Sequence, residues 1–114
     1  MPDLNRLELH LLLALSNRAS YGYRLQQQVG DESGGALTPD IGSLYRGLAR
    51  LMERGWVDEV EEPAAERDTP SPGRRRRWYG LTPVGKEALA REVDRLAQVV
   101  HLARERDLSP GPTG

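Results

Sequence analysis

With 114 residues and a formal net charge of −1, the chain amounts to about one small domain whose core is only marginally self-sufficient, so association with a second copy is expected. A charge so close to zero means that any affinity for nucleic acid must come from where the basic groups sit. The absence of cysteine excludes a disulfide framework, a thiolate metal site and a cysteine nucleophile.

Lys86 is the only lysine, so nearly all the positive charge is guanidinium. That group suits bidentate phosphate and base-edge contacts, but an arginine-favouring, GC-rich coding sequence accounts for it as well and is the favoured cause. Near the N-terminus, Asp3 and Glu8 stand where a secretory signal needs basic residues, and the apolar run 11–15 is too short to span a bilayer. A cytosolic protein without membrane association is expected.

Asn5 with Glu8 has the spacing of a capping box, and Leu4 with Leu9 that of a hydrophobic staple, which predicts a helix over 6–16. Its leucines do not keep to one stripe. Leu7, Leu11 and Leu15 share a side while Leu9, Leu12 and Leu13 spread round the rest, the pattern of a helix covered on more than one face, in part from outside its own domain. Ser20 is positioned to cap a second helix from Tyr21 to about Val29, with Gly30 as its stop and DESGG as the loop that follows. Thr38, Pro39 and Asp40 then supply a hydroxyl cap, a proline at the first helical position and a carboxylate at the positive end of the dipole. This third helix should end at Gly55, burying Leu44, Leu48 and Leu51 and turning Ser43, Arg46, Arg50 and Glu53 outward.

WVDEVEE reads as a strand, PAAERDTPSPG as the tip of a hairpin and RRRRWYGL as the returning strand. Thr82 and Pro83 repeat the cap-plus-proline signal and open a final helix. Along it Leu89, Val93, Leu96, Val100 and Ala103 alternate steps of four and three, a coiled-coil-like seam suited to pairing two copies. The expected fold is mainly α with a small β-hairpin: a winged helix-turn-helix domain over 1–81 with its wing at about 56–81, a dimerisation helix over 82–107 and a frayed tail over 108–114.

This order of elements, with Tyr21-Gly22-Tyr23 opening the second helix, resembles the PadR family of transcriptional regulators. Further matches are Gly42-Ser43-Leu44-Tyr45 with Leu48, Arg50, Leu51 and Gly55 in the third helix, and Trp78-Tyr79-Gly80-Leu81-Thr82-Pro83-Val84-Gly85 across the second wing strand into the last helix. Together these cover most of the chain, and their joint order and spacing are more specific than any one of them. The resemblance implies a homodimeric, usually repressing, DNA-binding protein, of the short type with a single C-terminal helix. The middle of that helix lacks aromatics.

A helix entering the major groove must present hydrogen-bonding groups opposite its apolar stripe, and Ser43, Arg46 and Arg50 meet that requirement. A solvated surface would look the same by pattern alone. Tyr45 sits at the flank, where half-buried packing competes with base contact. Ser20 and Tyr21, at a helix N-terminus, are candidates for a phosphate oxygen bound through backbone N–H groups, with simple capping the alternative. In the wing, Arg76 and Arg77 fall within cross-strand reach of Glu59, Glu61 or Glu62, whereas Arg74 and Arg75 have fewer fixed partners. The outer arginines, with Arg76, are therefore the candidates for sugar-phosphate contact, which positions a protein without reading sequence. Trp56 and Trp78 belong at the wing base as packing.

The expected partners are double-stranded DNA and a second copy of the chain, and a small apolar effector that loosens the complex is compatible with both. A winged-helix module that holds a partner protein without DNA is the rival reading. No metal or cofactor is expected, since His10 and His101 lack companion ligands at metal spacing. Catalysis is not expected either. The glycine-rich stretch 30–35 lacks the Gly-Lys-Ser/Thr ending of a phosphate loop, Gly85-Lys86 runs on into Glu87, and no serine sits in a nucleophile elbow.

Overall fold

Local hydrogen bonds start the first helix where the capping-box spacing predicts. In a computed structural model that describes residues 4–66 and 76–108, the Asn5 side chain accepts from the Glu8 N–H at 2.7 Å and the Glu8 carboxylate accepts from the Asn5 N–H at 3.0 Å. The resulting helix α1 (Arg6–Asn17) buries Leu11, Leu12, Ala14 and Leu15 completely or nearly so. It packs against the three other helices and the sheet. The protein's own domain therefore covers most of the spread of leucines along α1, leaving Leu4, Leu7, Leu9 and Leu13 partly buried at the edges.

The second helix, α2 (Gly22–Glu32), begins one residue later than expected, with Tyr21 as an N-cap that forms no side-chain capping bond. Ser20 is not the cap. Ser20 and Tyr21 instead form a two-residue strand, β1, antiparallel to the returning wing strand, with Ser20 opposite Tyr79 and Tyr21 opposite Trp78. A sheet partner almost sixty positions away thus overrides the local cap preference. Gly30 does not stop α2 either. The helix ends where the backbone turns left-handed, at Gly34 and Gly35 (φ +65° and +83°), and the Gly35 N–H closes back on the Gly30 carbonyl at 2.9 Å.

Helix α3 (Ile41–Glu53) is capped by Asp40 in place of Thr38, the Asp40 carboxylate accepting from the Ser43 N–H at 2.7 Å. A charged acceptor at the positive end of the dipole outcompetes a hydroxyl two residues upstream. Leu44, Leu48 and Leu51 are buried as the periodicity predicts. Between them Gly47 lets α1 approach, since a β carbon there would stand 3.0 Å from Leu11 Cδ1.

The wing strands β2 (Val57–Val60) and β3 (Trp78–Leu81) pair antiparallel from Val57 opposite Leu81 to Val60 opposite Trp78. Both are shorter than predicted: Trp56, Glu61 and Glu62 lie outside one strand, Arg76 and Arg77 outside the other. With β1 they make a three-stranded sheet in the order β1-β3-β2. A 3-10 turn at Ala64–Glu66 follows β2.

Thr82 caps the last helix, α4 (Pro83–Glu105), accepting from the Gly85 N–H at 2.9 Å while its hydroxyl donates to the Gly55 carbonyl at 2.6 Å. Gly85 lies so close to the Trp56 carbonyl that a β carbon would collide with it. These contacts clamp the root of α4 to the wing base. Beyond Ala88 and Leu89, both buried, the helix leaves the body and exposes Val93, Val99, Val100 and Leu102. Leu89 is accordingly part of its own chain's core, a correction to its expected place in the seam. The frayed tail expected over 108–114 lies, apart from Leu108, outside the described residues.

Candidate nucleic-acid interface

The outward face of α3 is built by burying the opposite one. Ser43, Arg46 and Arg50 all lie on the accessible side of the helix, yet none of the three is a bare side chain. Arg46 turns back along its own helix, its terminal amine donating to Ser43 Oγ at 3.1 Å. Beside them the Ser43 N–H holds the Asp40 carboxyl below the usual carboxylate range, so the lip of α3 carries a fixed negative charge.

Arg50 leans the other way, towards α1, and donates through Nε to Glu8 Oε2 at 2.8 Å. The Glu8 side chain is buried, at 3% exposure, whereas that of Arg50 remains 45% exposed. Burial alone would push the Glu8 carboxyl up, but the Asn5 N–H and the Arg50 guanidinium together bring it below its ordinary value. The carboxylate therefore stays ionised at neutral pH and anchors one edge of Arg50.

Tyr45 is half-exposed, with its ring centroid 6.4 Å from that of Tyr79. Its hydroxyl end reaches over Gly22, where any β carbon would collide with it. The tyrosine thus joins α3 to the start of α2 and to β3, which gives the glycine of Tyr21-Gly22-Tyr23 a packing reason.

Ser20 is fully buried, its hydroxyl accepting from Arg24 Nε at 2.8 Å. Tyr21 lies at the surface edge of the sheet, its ring edge-on to Trp78 with centroids 5.0 Å apart. Guanidinium carbons stand over it at 5.1 Å (Arg24) and 4.3 Å (Arg76). Arg77 reaches Glu59 at 4.0 Å, both well exposed, as cross-strand proximity predicts; Arg76 goes to the Tyr21 ring. Arg74 and Arg75 lie outside the described residues. Trp78 is buried and Trp56 partly so at the wing base, the latter beneath Arg54 at 5.0 Å.

Sequence reasoning did not single out Arg24 or Arg18; Glu66 reads from the sequence as a loop carboxylate that dilutes the charge of Arg74 and Arg75, and the structure gives it Arg24 and Arg18 as partners. Arg24 donates to Ser20 Oγ, to the Ala19 carbonyl at 2.7 Å and to Glu66 Oε1 at 2.8 Å; Arg18 approaches the same Glu66 oxygen at 3.7 Å. The only local signal was the four-residue step from Ser20 to Arg24, and nothing in it announced a partner in the wing. Among the described residues no group of three or more potential metal ligands comes together, and no helix is long and apolar enough to cross a membrane.

Three helices, a small antiparallel sheet and a projecting final helix define a winged helix-turn-helix fold. The Transcriptional regulator PadR-like family matches residues 11–91, and the chain belongs to that family, whose members are regulators of transcription rather than enzymes. In sequence the chain is similar to an uncharacterized 37.1 kDa protein in transposon TN4556 of Streptomyces fradiae, 34% identical over 95 residues. That stretch is 83% of this chain and 24% of the relative, so the chain spans about a quarter of its length. In fold it is similar to a PadR family transcription regulator from hypervirulent Clostridium difficile, with a TM-score of 0.71 at 21% identity over 89% of this chain and 97% of that one. A PadR-like transcription factor from Bacteroides fragilis gives a TM-score of 0.68 at 21% identity, covering 87% of each chain.

Proposed function

We propose that the chain is a homodimeric cytoplasmic repressor that binds an inverted-repeat operator in duplex DNA. The observation that carries this reading is the division of α3 into a fully buried leucine stripe and an outward face holding Ser43, Arg46 and Arg50. Arg46 and Arg50 read base edges in the major groove, where one bidentate arginine–guanine contact discriminates by about 1–3 kcal/mol. Ser43 and the flank of Tyr45 line the same approach. Tyr21 and Arg76, with Arg74 and Arg75 further along the wing, contact the sugar-phosphate backbone and set register.

The second copy pairs through α4, whose exposed Val93 and Val100, with Leu96 and Ala103, form an apolar strip beyond the folded body. In this arrangement residues 1–81 read DNA and 82–107 dimerise. Two reading helices then fall roughly 34–36 Å apart, one turn of duplex. A small apolar effector that loosens the complex is compatible with this arrangement, and an open depression walled by Leu15, Ala19, Val60 and Leu81 offers it apolar surface.

Fluorescence anisotropy with the duplex upstream of the protein's own gene tests the assignment. Arg46→Ala should lose operator affinity while sedimentation still reports a dimer. Val100→Glu should give monomers and weak binding. Unchanged affinity in Arg46→Ala removes that residue from the reading face, and salt-independent or absent affinity for duplex favours the protein-binding adaptor instead.

A further inference from the structure

The root of the wing gathers three guanidinium groups around a single carboxylate. Arg24 is held from its own segment, by Ser20 Oγ at Nε and the Ala19 carbonyl at one terminal amine, and lies over the Tyr21 and Trp78 rings at 5.1 and 5.2 Å. Its remaining amine, NH1, points at Glu66 Oε1. Arg18 shares that oxygen, and Arg76 sits over the same Tyr21 ring at 4.3 Å. The guanidinium of Arg24 would keep its place and direction if Glu66 were removed, because two other acceptors and two rings already hold it.

A second feature of the same corner favours an anion. The first turn of α2 opens here with no side-chain cap, so the positive end of its dipole is not neutralised by its N-cap residue. Carboxylate and phosphate present oxygens to a guanidinium in the same way, and a phosphodiester offers two where Glu66 engages its neighbours through one.

We propose that Arg18, Arg24 and Arg76 form a binding site for one backbone phosphodiester of duplex DNA, and that Glu66 occupies it as an internal substitute until DNA displaces it. The site rests on the DNA-binding reading and adds to it a phosphate clamp set by α2 and the wing root, distinct from the outer wing arginines. Arg24 first, and Arg18 and Arg76 with it, hold the Glu66 carboxyl below its ordinary range against the effect of burial. The substitute is therefore charged at neutral pH and competes as an anion.

The sign of one substitution separates this from a plain structural tether. Glu66→Gln should tighten binding to operator and random duplex alike by several-fold, with the log–log salt slope steeper by about 0.9 for the added phosphate contact. A tether predicts equal or weaker binding, and that result overturns the proposal. A long-range charge effect would persist without the clamp, so the gain must vanish in an Arg24→Gln background, or at least halve with the surface residue Arg18→Gln if the first double variant fails to fold. Persistence of the full gain also overturns it.

The site can be read without DNA. Following the Arg24 Nε–H by NMR during a sulfate titration at constant ionic strength, Glu66→Gln should saturate at lower sulfate than the wild type. No saturable shift in either protein removes the site, whatever the DNA results. Sulfate binding with no gain in DNA affinity removes the phosphodiester as its ligand. Loss of all duplex affinity in the wild-type protein, by contrast, strikes the DNA-binding reading itself.

Discussion

Among the described residues, two close ion pairs tie distant parts of this small domain together, and they differ in which member is the more buried. Glu8–Arg50 and Glu66–Arg24 each close at 2.8 Å between residues 42 apart in sequence. In the first the carboxylate is the buried member, 3% exposed against 45% for its arginine; in the second the arginine is the more buried, 18% against 26%. The buried partner is the anchored one, because its other hydrogen bonds are made inside the protein. Thus α1 fixes a carboxylate and leaves Arg50 facing outward from α3, whereas the wing root fixes Arg24 and leaves a carboxylate that can be exchanged. Two pairs of the same chemistry therefore present opposite free ends.

Truncating one partner at a time should expose that asymmetry. The largest effect belongs to Arg50→Ala, which strands the buried Glu8 carboxylate with little beyond the Asn5 N–H; a loss of about 1–3 kcal/mol in urea unfolding is expected. A loss below about 0.5 kcal/mol would break the comparison, because it would show Glu8 to be hydrated in spite of its burial.

Next in size is an acid limb of stability. The Glu8 carboxyl is depressed in the folded protein, so its contribution is fully present above its unfolded value and is lost as pH falls through the lower, folded one. The arginine is nearly half exposed, so solvent screening keeps this contribution to roughly 1 kcal/mol. In Glu8→Gln, which keeps the side-chain shape, the decline in melting temperature below the ordinary carboxylate range should be shallower than in the wild type. An identical acid limb in the two proteins would transfer it to the other depressed carboxylates, Asp40, Glu66 and Glu92.

The smallest effect belongs to a pair in which neither member is buried. Arg77 and Glu59 are both exposed and 4.0 Å apart. Glu59→Ala, which leaves the hydrogen bond between Arg77 and the buried Tyr79 in place, should change stability by less than about 0.5 kcal/mol in the same melts.

Capping chemistry and apolar periodicity act within a turn or two of chain; Asp40 took the α3 cap from Thr38 and α2 ran past Gly30, but several features that depend on them were readable. The Asn5–Glu8 box, the Thr82–Pro83 start of α4 and the Leu44, Leu48 and Leu51 stripe are such features, and the order of elements with its PadR-like motifs followed from the linear string as well. The outward placement of Ser43, Arg46 and Arg50 came with the stripe. Long-range packing settled the remainder. Ser20 became a strand residue because β3 lies beside it, Leu89 joined its own core because α4 is clamped at Trp56, and Arg24 and Arg50 found carboxylates 42 positions away. Which member of an ion pair is anchored depends on how much solvent each loses when the helices and sheet close together, a quantity with no counterpart in the order of residues along the chain.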